Sequence, residues 1–182
     1  SLFKNLFKKN HLEVFGTIRN KQTYKDKFSF NEYDKLFALD VLADTNKIQS
    51  IVKKIQPDFV INCIGVISQK ESERKELIFL NSLLPHIIQD ICDDTCCKLI
   101  HFSTDCVFNG EKGNYEEAEL SDANDLYGRS KYLGEIISDT HLTIRTSIIG
   151  HELKDNVSLV DWFLSQDSTV KGYKNAIFSG LP

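Results

Sequence analysis

Residues 103–135, STDCVFNGEKGNYEEAELSDANDLYGRSKYLGE, form the stretch of sequence that decides the fold of this chain. Tyr127 and Lys131 stand four residues apart near its end. Residues 126–138 are predicted to form a helix, and Asp125 is well placed to be its N-cap. Because residues at i and i+4 lie on one face of a helix, the phenol and the ammonium group are expected to face the same way.

This pairing has a chemical use. A free phenol has a pKa of about 10, so it exchanges protons poorly near neutrality. A fixed ammonium group nearby favours the phenolate and is expected to lower the pKa of Tyr127. The hydroxyl of Thr104 could bind the same substrate oxygen, which predicts a site that protonates a carbonyl oxygen while hydride reaches its carbon. The alternative is an interfacial tyrosine with a solvated Lys131, since Tyr-x-x-x-Lys also occurs by chance.

Strands are predicted on both sides of this helix. Residues 98–103 (KLIHFS) form a short apolar run that ends at Thr104, and residues 142–145 (LTIR) follow the helix. Sheets of α/β proteins carry their ligand groups at the carboxyl ends of strands, which is where Thr104 lies. Strands and helices alternate along the chain, so a parallel α/β sheet with right-handed crossovers is predicted.

The remaining elements follow from hydrophobic periodicity. Helices are predicted at residues 1–10, 44–55, 76–94 and 157–165, and strands at residues 12–17, 35–41 and 59–65. The run at 59–65 (FVINCIG) is apolar almost throughout, which is typical of a buried parallel strand. Trp162 is expected in the core, and the acidic stretch 109–125 is interpreted as a solvated lid over a substrate entrance.

Several motifs occur in a fixed order along the chain. They are Ser103-Thr104-Asp105-Cys106-Val107-Phe108, Gly110, Tyr127-Gly128-Arg129-Ser130-Lys131, Gly134-Glu135 and Leu142-Thr143-Ile144-Arg145-Thr146-Ser147. This order resembles the extended short-chain dehydrogenase/reductase superfamily, and within it the dTDP-4-dehydrorhamnose reductase-like branch. The resemblance implies a Rossmann-like, doubly wound α/β domain over residues 1–147 and the start of a small substrate-binding region over 148–182. The first strand and the Gly-rich turn of such a domain are missing and the chain has no Met, so both ends are expected to be cut short.

The resemblance also implies roles for individual residues. Thr104, Tyr127 and Lys131 are expected to be catalytic. The residues expected to bind substrate are Thr104, Asp105, Cys106, Thr146 and Ser147. Those expected to contact a dinucleotide cofactor are Arg19, Asp40, Val41, Cys63, Ile64, Gly65, Ser103, Tyr127 and Lys131. Asn81 occupies a position where the superfamily often has an asparagine that supports the site, and a merely polar role is the alternative.

Arg19 indicates which cofactor is preferred. At the corresponding strand end, an acidic residue would bind the ribose 2′-hydroxyl of NAD, whereas an arginine suits the 2′-phosphate of NADP. The next carboxylate in the sequence is Asp26, so NADP(H) is the preferred cofactor, with NAD(H) as the second choice. The alternatives are that Arg19 is a surface loop charge and that Asp40, assigned to the adenine, is a turn residue.

Composition narrows the class of protein. The chain has 22 basic and 26 acidic residues and a net charge of −4, so nucleic acid is not expected as a partner. Its apolar runs are shorter than the roughly 20 residues that a membrane span needs. Five cysteines without metal-type spacing predict reduced thiols, a cytoplasmic location and no bound metal. A homodimer is an expectation that the sequence leaves open.

Three functions are consistent with these features. The first is NADP(H)-dependent reduction of a nucleotide-linked 4-keto-6-deoxysugar in cell-surface polysaccharide biosynthesis. A sugar-nucleotide epimerase or dehydratase is the second, but the related dehydratases pair Asp with Glu where this chain has Asp105 and Cys106. The third is a regulatory subunit of a methionine adenosyltransferase, which belongs to the same branch. The intact set of Thr104, Tyr127 and Lys131 favours an enzyme.

Overall fold

The computed structural model describes residues 11–24, 34–66, 74–147, 149–151 and 159–174. The helix predicted at residues 1–10 lies outside these ranges. The predicted boundary between residues 147 and 148 stays a prediction. No helix in the described ranges is long and apolar enough to cross a membrane.

The strands are parallel, as predicted. They are β1 (Gly16–Ile18), β2 (Leu36–Ala38), β3 (Phe59–Asn62), β4 (Lys98–Phe102) and β5 (Leu142–Ile144). β1 pairs with β2, and β3, β4 and β5 form a second sheet in that order. Parallel neighbours need a crossover that carries the chain back, which explains the helical stretches between strands. Each strand is shorter than the apolar run that predicts it, and β1 begins only at Gly16.

The helices lie at most of the predicted places. They are α1 (Lys21–Tyr24), α2 (Asn46–Ile55), α3 (Arg74–Ile78), α4 (Leu84–Asp94), α5 (Leu126–Leu133) and α6 (Leu159–Leu164). α5 begins after Asp125, whose carboxylate accepts a hydrogen bond from the Gly128 N–H at 2.9 Å, so the predicted N-cap is confirmed. α5 ends at Leu133 rather than at residue 138, with Gly134 as its C-cap.

The long helix predicted at 76–94 is interrupted by a π-helical segment, Phe79–Leu83, between α3 and α4. Pro85 explains the change of pitch, because it has no N–H to donate to the carbonyl of Asn81 four residues earlier. The Leu84 N–H instead reaches the carbonyl of Phe79. π-turns inside helices are frequent at functional sites.

α5 packs closely on its neighbours at two glycines. A Cβ at Gly134 would lie only 1.9 Å from the Asn81 carbonyl oxygen, and one at Gly128 would lie 2.3 Å from the Cys106 carbonyl oxygen. Ser82 Oγ also donates a hydrogen bond to the Ser130 carbonyl at 2.8 Å. These contacts fix the helix that carries Tyr127 and Lys131 between the π segment and the chain that follows β4.

The core lies between the sheet and the helices α2 and α4. Its fully or almost fully buried members include Ile48, Val52, Leu80, Leu84, Ile88, Cys92 and Leu99. Two predictions of burial are wrong. Trp162 is 43% exposed and belongs to α6, a helix in which no residue is buried. Phe59 in β3 is 55% exposed. The described helices cover only the other face of the sheet, the one that receives the Asn62 side chain.

Candidate active site

The candidate site lies at the carboxyl edge of the β3–β4–β5 sheet. Gly65 follows β3, Ser103 and Thr104 follow β4, and Thr146 follows β5. Because parallel strands end at a common edge, residues far apart in sequence meet there. Tyr127 and Lys131 belong to α5, and Lys131 reaches the end of β4 at this edge.

Tyr127 is half-buried, and its phenol lies next to the Thr104 side chain. Thr104 Oγ1 also donates to Asp105 Oδ1 at 3.3 Å and accepts from the Cys106 N–H at 3.2 Å. Burial raises the pKa of Tyr127, and the neighbouring Thr104 side chain opposes this shift. The expectation that the pKa of Tyr127 is lowered is therefore wrong for this structure, since burial outweighs the groups that favour the phenolate.

Lys131 is buried, with 5% of its surface exposed. Its Nζ donates a hydrogen bond to the Phe102 carbonyl at 2.7 Å, which fixes the ammonium group at the end of β4. Burial lowers the pKa of Lys131, and the charge of Glu135 opposes that shift. A Cβ at Gly65 would lie 3.8 Å from this Nζ, so the glycine keeps the space beside the ammonium group open.

Asn81 connects the loop after β3 with α5. Its Oδ1 accepts from the Val66 N–H at 2.9 Å, while its Nδ2 donates to the Val66 carbonyl at 3.0 Å and to Ser130 Oγ at 3.2 Å. Asn81 is fully buried. The asparagine that the sequence left open as merely polar is thus a structural link beneath Tyr127 and Lys131. The sequence signal for this structural role is a single amide side chain within the apolar face of a helix.

The residues predicted to bind substrate form the rim of the site. Asp105 Oδ1 accepts a hydrogen bond from Ser147 Oγ at 2.5 Å, which joins the chain after β4 to the chain after β5. Cys106 is exposed next to them, and partial burial of its thiol raises its pKa. The Thr146 hydroxyl donates to the Ser147 carbonyl at 3.2 Å. Their role as substrate ligands stays a prediction.

Of the predicted cofactor residues, Arg19 and Asp40 lie together at the carboxyl ends of β1 and β2. Arg19 Nε is 3.7 Å from Asp40 Oδ2. Val41 has its side chain in the core, and its carbonyl accepts a hydrogen bond from Thr45 Oγ1 at 2.8 Å. Gly65 and Cys63 are exposed after β3, where burial of one side of the Cys63 thiol raises its pKa.

The sequence analysis assigned no role to the partly buried ion pair between Glu135 and Arg145. Both lie in the family-like motifs, but their partnership depends on the placement of β5. Glu135 Oε1 also accepts from Ser103 Oγ at 2.7 Å, and the Arg145 guanidinium lies 4.9 Å from the ring centre of Phe108. Hydrogen bonds from Glu135 raise the pKa of Arg145. Ser103, predicted to touch the cofactor, is thus engaged with Glu135.

Internal hydrogen bonds fold the largely exposed loop at 109–125, and its role as a lid stays a prediction. Asp122 Oδ1 accepts from the Asn109 N–H at 2.7 Å, and the Tyr115 hydroxyl donates to Asn109 Oδ1 at 3.0 Å and Asp122 Oδ2 at 3.1 Å. Its two ends meet where the Ala123 N–H donates to the Val107 carbonyl at 3.2 Å. Such closure is typical of an Ω-loop. Among the described residues, no group of three or more acidic, cysteine or histidine side chains could hold a metal.

Comparisons with known proteins agree with this architecture. The model of the RmlD substrate binding domain family matches residues 3–169. A probable low-salt glycan biosynthesis reductase from Haloferax volcanii is 35% identical over 97 residues, which are 52% of this chain and 32% of that protein. The dTDP-4-dehydrorhamnose reductase of Salmonella typhimurium is 28% identical over 62% of this chain and 42% of its own length.

A solved structure shows the same fold. The dTDP-4-dehydrorhamnose reductase from Bacillus anthracis, crystallised with NADP, superposes with a TM-score of 0.63 at 22% identity, over 84% of this chain and 59% of that one. The chain spans less than half the length of either of these curated relatives. The fold is therefore Rossmann-like, and the chain belongs to the RmlD substrate-binding domain family of reductase-like proteins.

Proposed function

We propose that the protein carrying this chain uses NADP(H), and NAD(H) less readily, to reduce the keto group of a nucleotide-linked 4-keto-6-deoxysugar. The observation that carries the proposal is the convergence of Tyr127, Thr104 and Lys131 at the carboxyl edge of the sheet, where the Thr104 side chain lies next to the phenol and Lys131 Nζ donates to the Phe102 carbonyl. The proposal includes a cytoplasmic location and a role in cell-surface polysaccharide biosynthesis. The glycan-related name of the Haloferax relative supports the latter.

The residues at the strand ends fit a nicotinamide dinucleotide. Gly65 leaves room beside the Lys131 ammonium group that a Cβ would fill, since that Cβ would also lie 3.3 Å from Asn81 Oδ1. Arg19 keeps 64% of its side chain exposed at the carboxyl end of β1, in the two-stranded sheet, where a 2′-phosphate is expected. Such a cofactor would supply the hydride.

Tyr127 is the proton donor in the proposed reaction. Because burial raises the pKa of Tyr127, the phenol is protonated at neutral pH, which is the form that reduction requires. Its proton passes to the keto oxygen as the carbon receives hydride, so the products are an alcohol and a tyrosinate that regains a proton from solvent. Thr104 orients the keto oxygen, and Lys131, whose ammonium group is fixed at the end of β4 by the Phe102 carbonyl, would bind the nicotinamide ribose.

A dehydratase needs a second carboxyl group for acid–base work on the sugar. Cys106 stands after Asp105, where the related dehydratases have Glu. The nearby Glu135 is only 7% exposed in its side chain and is bound by Arg145 and Ser103. Glu135 is thus an ion-pair partner of Arg145 and does not serve as a second acid–base group, which favours simple reduction over dehydration.

The test is turnover of NADPH with a dTDP-linked 4-keto-6-deoxysugar by the natural protein that contains these residues. Tyr127→Phe is expected to lose at least roughly 100-fold in rate, because it removes the proton donor. NADPH binding should be retained in this variant. Tyr132→Phe, on the same helix, is the matched control. Unchanged turnover in Tyr127→Phe, or none in the wild-type protein with either cofactor, would overturn the proposal.

A further inference from the structure

Arg19 lies between two carboxylates that come from different parts of the chain. Its Nε is 3.7 Å from Asp40 Oδ2, and its Nη2 is 3.8 Å from Glu76 Oε1. Both distances are too long for good hydrogen bonds, so the pairs are loose. The guanidinium group is consequently attracted from both sides while most of its side chain stays in solvent.

The two carboxylates are held differently. Asp40 follows β2 and its Oδ1 accepts a hydrogen bond from the Leu42 N–H at 3.1 Å, which fixes it in the turn. Glu76 stands in the first turn of α3. In the described part of the chain, its carboxylate is paired with Arg19 alone. A substitution of Glu76 therefore leaves the hydrogen bond of Asp40 in the turn after β2 intact.

The cluster of one guanidinium and two carboxylates has a net charge of −1. A phosphate dianion that approaches Arg19 is attracted by one cation and repelled by two anions at nearly the same distance. A ribose hydroxyl in the same place meets no such repulsion and can donate a hydrogen bond to a carboxylate. Asp40 and Glu76 thus oppose the preference for NADP(H) over NAD(H) that Arg19 alone would give.

We propose that Glu76 is a specificity-determining residue, which limits the preference for NADPH over NADH by competing with a 2′-phosphate for Arg19. The inference rests on the proposed function, because it takes the ends of β1 and β2 as the place where the adenosine ribose binds. The sequence analysis based the choice between NADP(H) and NAD(H) on Arg19 alone, and the inference adds Glu76 from α3. Removing the Glu76 charge should therefore strengthen binding of the phosphorylated cofactor selectively.

The experiment is a fluorescence titration of NADPH and NADH against the wild-type protein and Glu76→Gln, in the natural protein that contains these residues. Adenosine 2′,5′-bisphosphate and AMP serve as probes of the ribose end alone. Glu76→Gln is expected to tighten binding of NADPH and of the bisphosphate by roughly fivefold, with NADH and AMP unchanged or weaker. Glu111→Gln, in the exposed loop, removes the same charge elsewhere and should leave the ratio unchanged.

A second background tests whether Glu76 acts through Arg19. In Arg19→Met, the Glu76→Gln change should alter the NADPH-to-NADH ratio much less than it does in the wild-type protein. An equal effect in both backgrounds, or an unchanged ratio in Glu76→Gln when both cofactors bind, overturns the inference and leaves the proposed function standing. Failure of the wild-type protein to bind either cofactor overturns both.

Discussion

Arg145 and Glu135 form a bidentate ion pair at the carboxyl edge of the sheet, with Nε 2.9 Å from Oε1 and Nη2 2.8 Å from Oε2. The pair joins the end of β5 to the residue that follows the C-cap of α5. Through Ser103 it reaches the end of β4, and through the ring of Phe108 it reaches the Ω-loop. One partly buried pair therefore links β4, β5, α5 and the Ω-loop.

Removal of one partner from this pair should be costly. Arg145→Met leaves the Glu135 carboxylate buried with only the Ser103 hydroxyl, so we expect a loss of about 2–4 kcal/mol in the free energy of unfolding. The lower bound allows for the partial exposure of Arg145. Urea denaturation measures the loss. Arg129→Met is the matched control, because Arg129 is exposed and its side chain makes one hydrogen bond to the described residues, from Nε to the Ala123 carbonyl at 3.0 Å.

The double variant Glu135→Gln/Arg145→Met completes the argument. Neutral glutamine no longer needs a cation, so the double variant should be more stable than Arg145→Met alone. If the two are equally unstable, the loss comes from the packing of Arg145 on Phe108, and the ion-pair explanation is wrong.

A substitution at Gly134 tests how closely α5 packs on the π segment. Its φ of −91° would suit alanine, so backbone strain does not require a glycine here. A Cβ would nevertheless lie 1.9 Å from the Asn81 carbonyl and 3.1 Å from Pro85 Cγ. Gly134→Ala is therefore expected to lower stability by roughly 1–3 kcal/mol and to displace α5. Gly172→Ala is the control in thermal unfolding, because nothing lies within 4 Å of its added Cβ.

The close approach also predicts a functional effect. A displaced α5 moves Tyr127 and Lys131 together, so Gly134→Ala should lower turnover in a protein that is still folded at the assay temperature. A stable Gly134→Ala variant with wild-type turnover would show that α5 and the π segment are not packed as closely as the structure has them.

Asn81 is expected to be needed for the loop after β3. Asn81→Leu keeps the approximate size but leaves the Val66 N–H and the Val66 carbonyl without their partner, while Ser130 Oγ keeps its hydrogen bond to the Tyr127 carbonyl. Buried polar groups left unpaired cost roughly 1–3 kcal/mol each, so a marked loss of stability follows. Hydrogen exchange of the Val66 amide should become faster. Asn124→Leu, at an exposed position, is the control; equal protection of Val66 in both variants would contradict the link.

The sequence predicts best what depends on local spacing. Asp125 caps α5, and Tyr127 and Lys131 share a helix face, because both facts follow from residues within two helical turns. The order of strands and helices is likewise contained in the alternating pattern. The parallel pairing of β3, β4 and β5 follows from that alternation.

What the sequence could not show depends on long-range packing. Lys131 was expected to lower the pKa of Tyr127, but its ammonium group is bound to the carbonyl of Phe102, from another element. Glu135 and Arg145 meet only because β5 returns beside β4. Phe59 was expected to be buried by an apolar pattern that cannot say which face of a sheet is covered. Arg19 looked unopposed in sequence because Glu76 is remote along the chain.

His101 supplies a prediction about acid stability. It is fully buried in β4, and its Nδ1 accepts a hydrogen bond from Asn62 Nδ2 at 3.1 Å. The Asn62 amide is oriented by its Oδ1, which accepts from the Ile64 N–H at 3.0 Å. The proton of neutral His101 therefore sits on Nε2, which has no hydrogen-bond partner among the described residues.

Burial, with the charges of Lys131 and His86, lowers the pKa of His101 from 6.5 to about 4. The unfolded chain then binds a proton at higher pH than the folded chain, so stability is present above the unfolded pKa of 6.5 and falls as the pH drops towards 4. Between pH 7 and pH 5 this one group should account for a loss of about 2 kcal/mol. Urea denaturation at the two pH values measures it.

His101→Gln is the decisive variant, because its amide oxygen can still accept from Asn62 while its side chain cannot titrate. It should be less stable than the wild-type protein at pH 7, yet lose about 2 kcal/mol less on acidification. His11→Gln, at an exposed histidine, is the control for loss of an imidazole. An equal pH dependence in wild type and His101→Gln would mean that another group governs acid unfolding and that His101 is not held neutral by the fold.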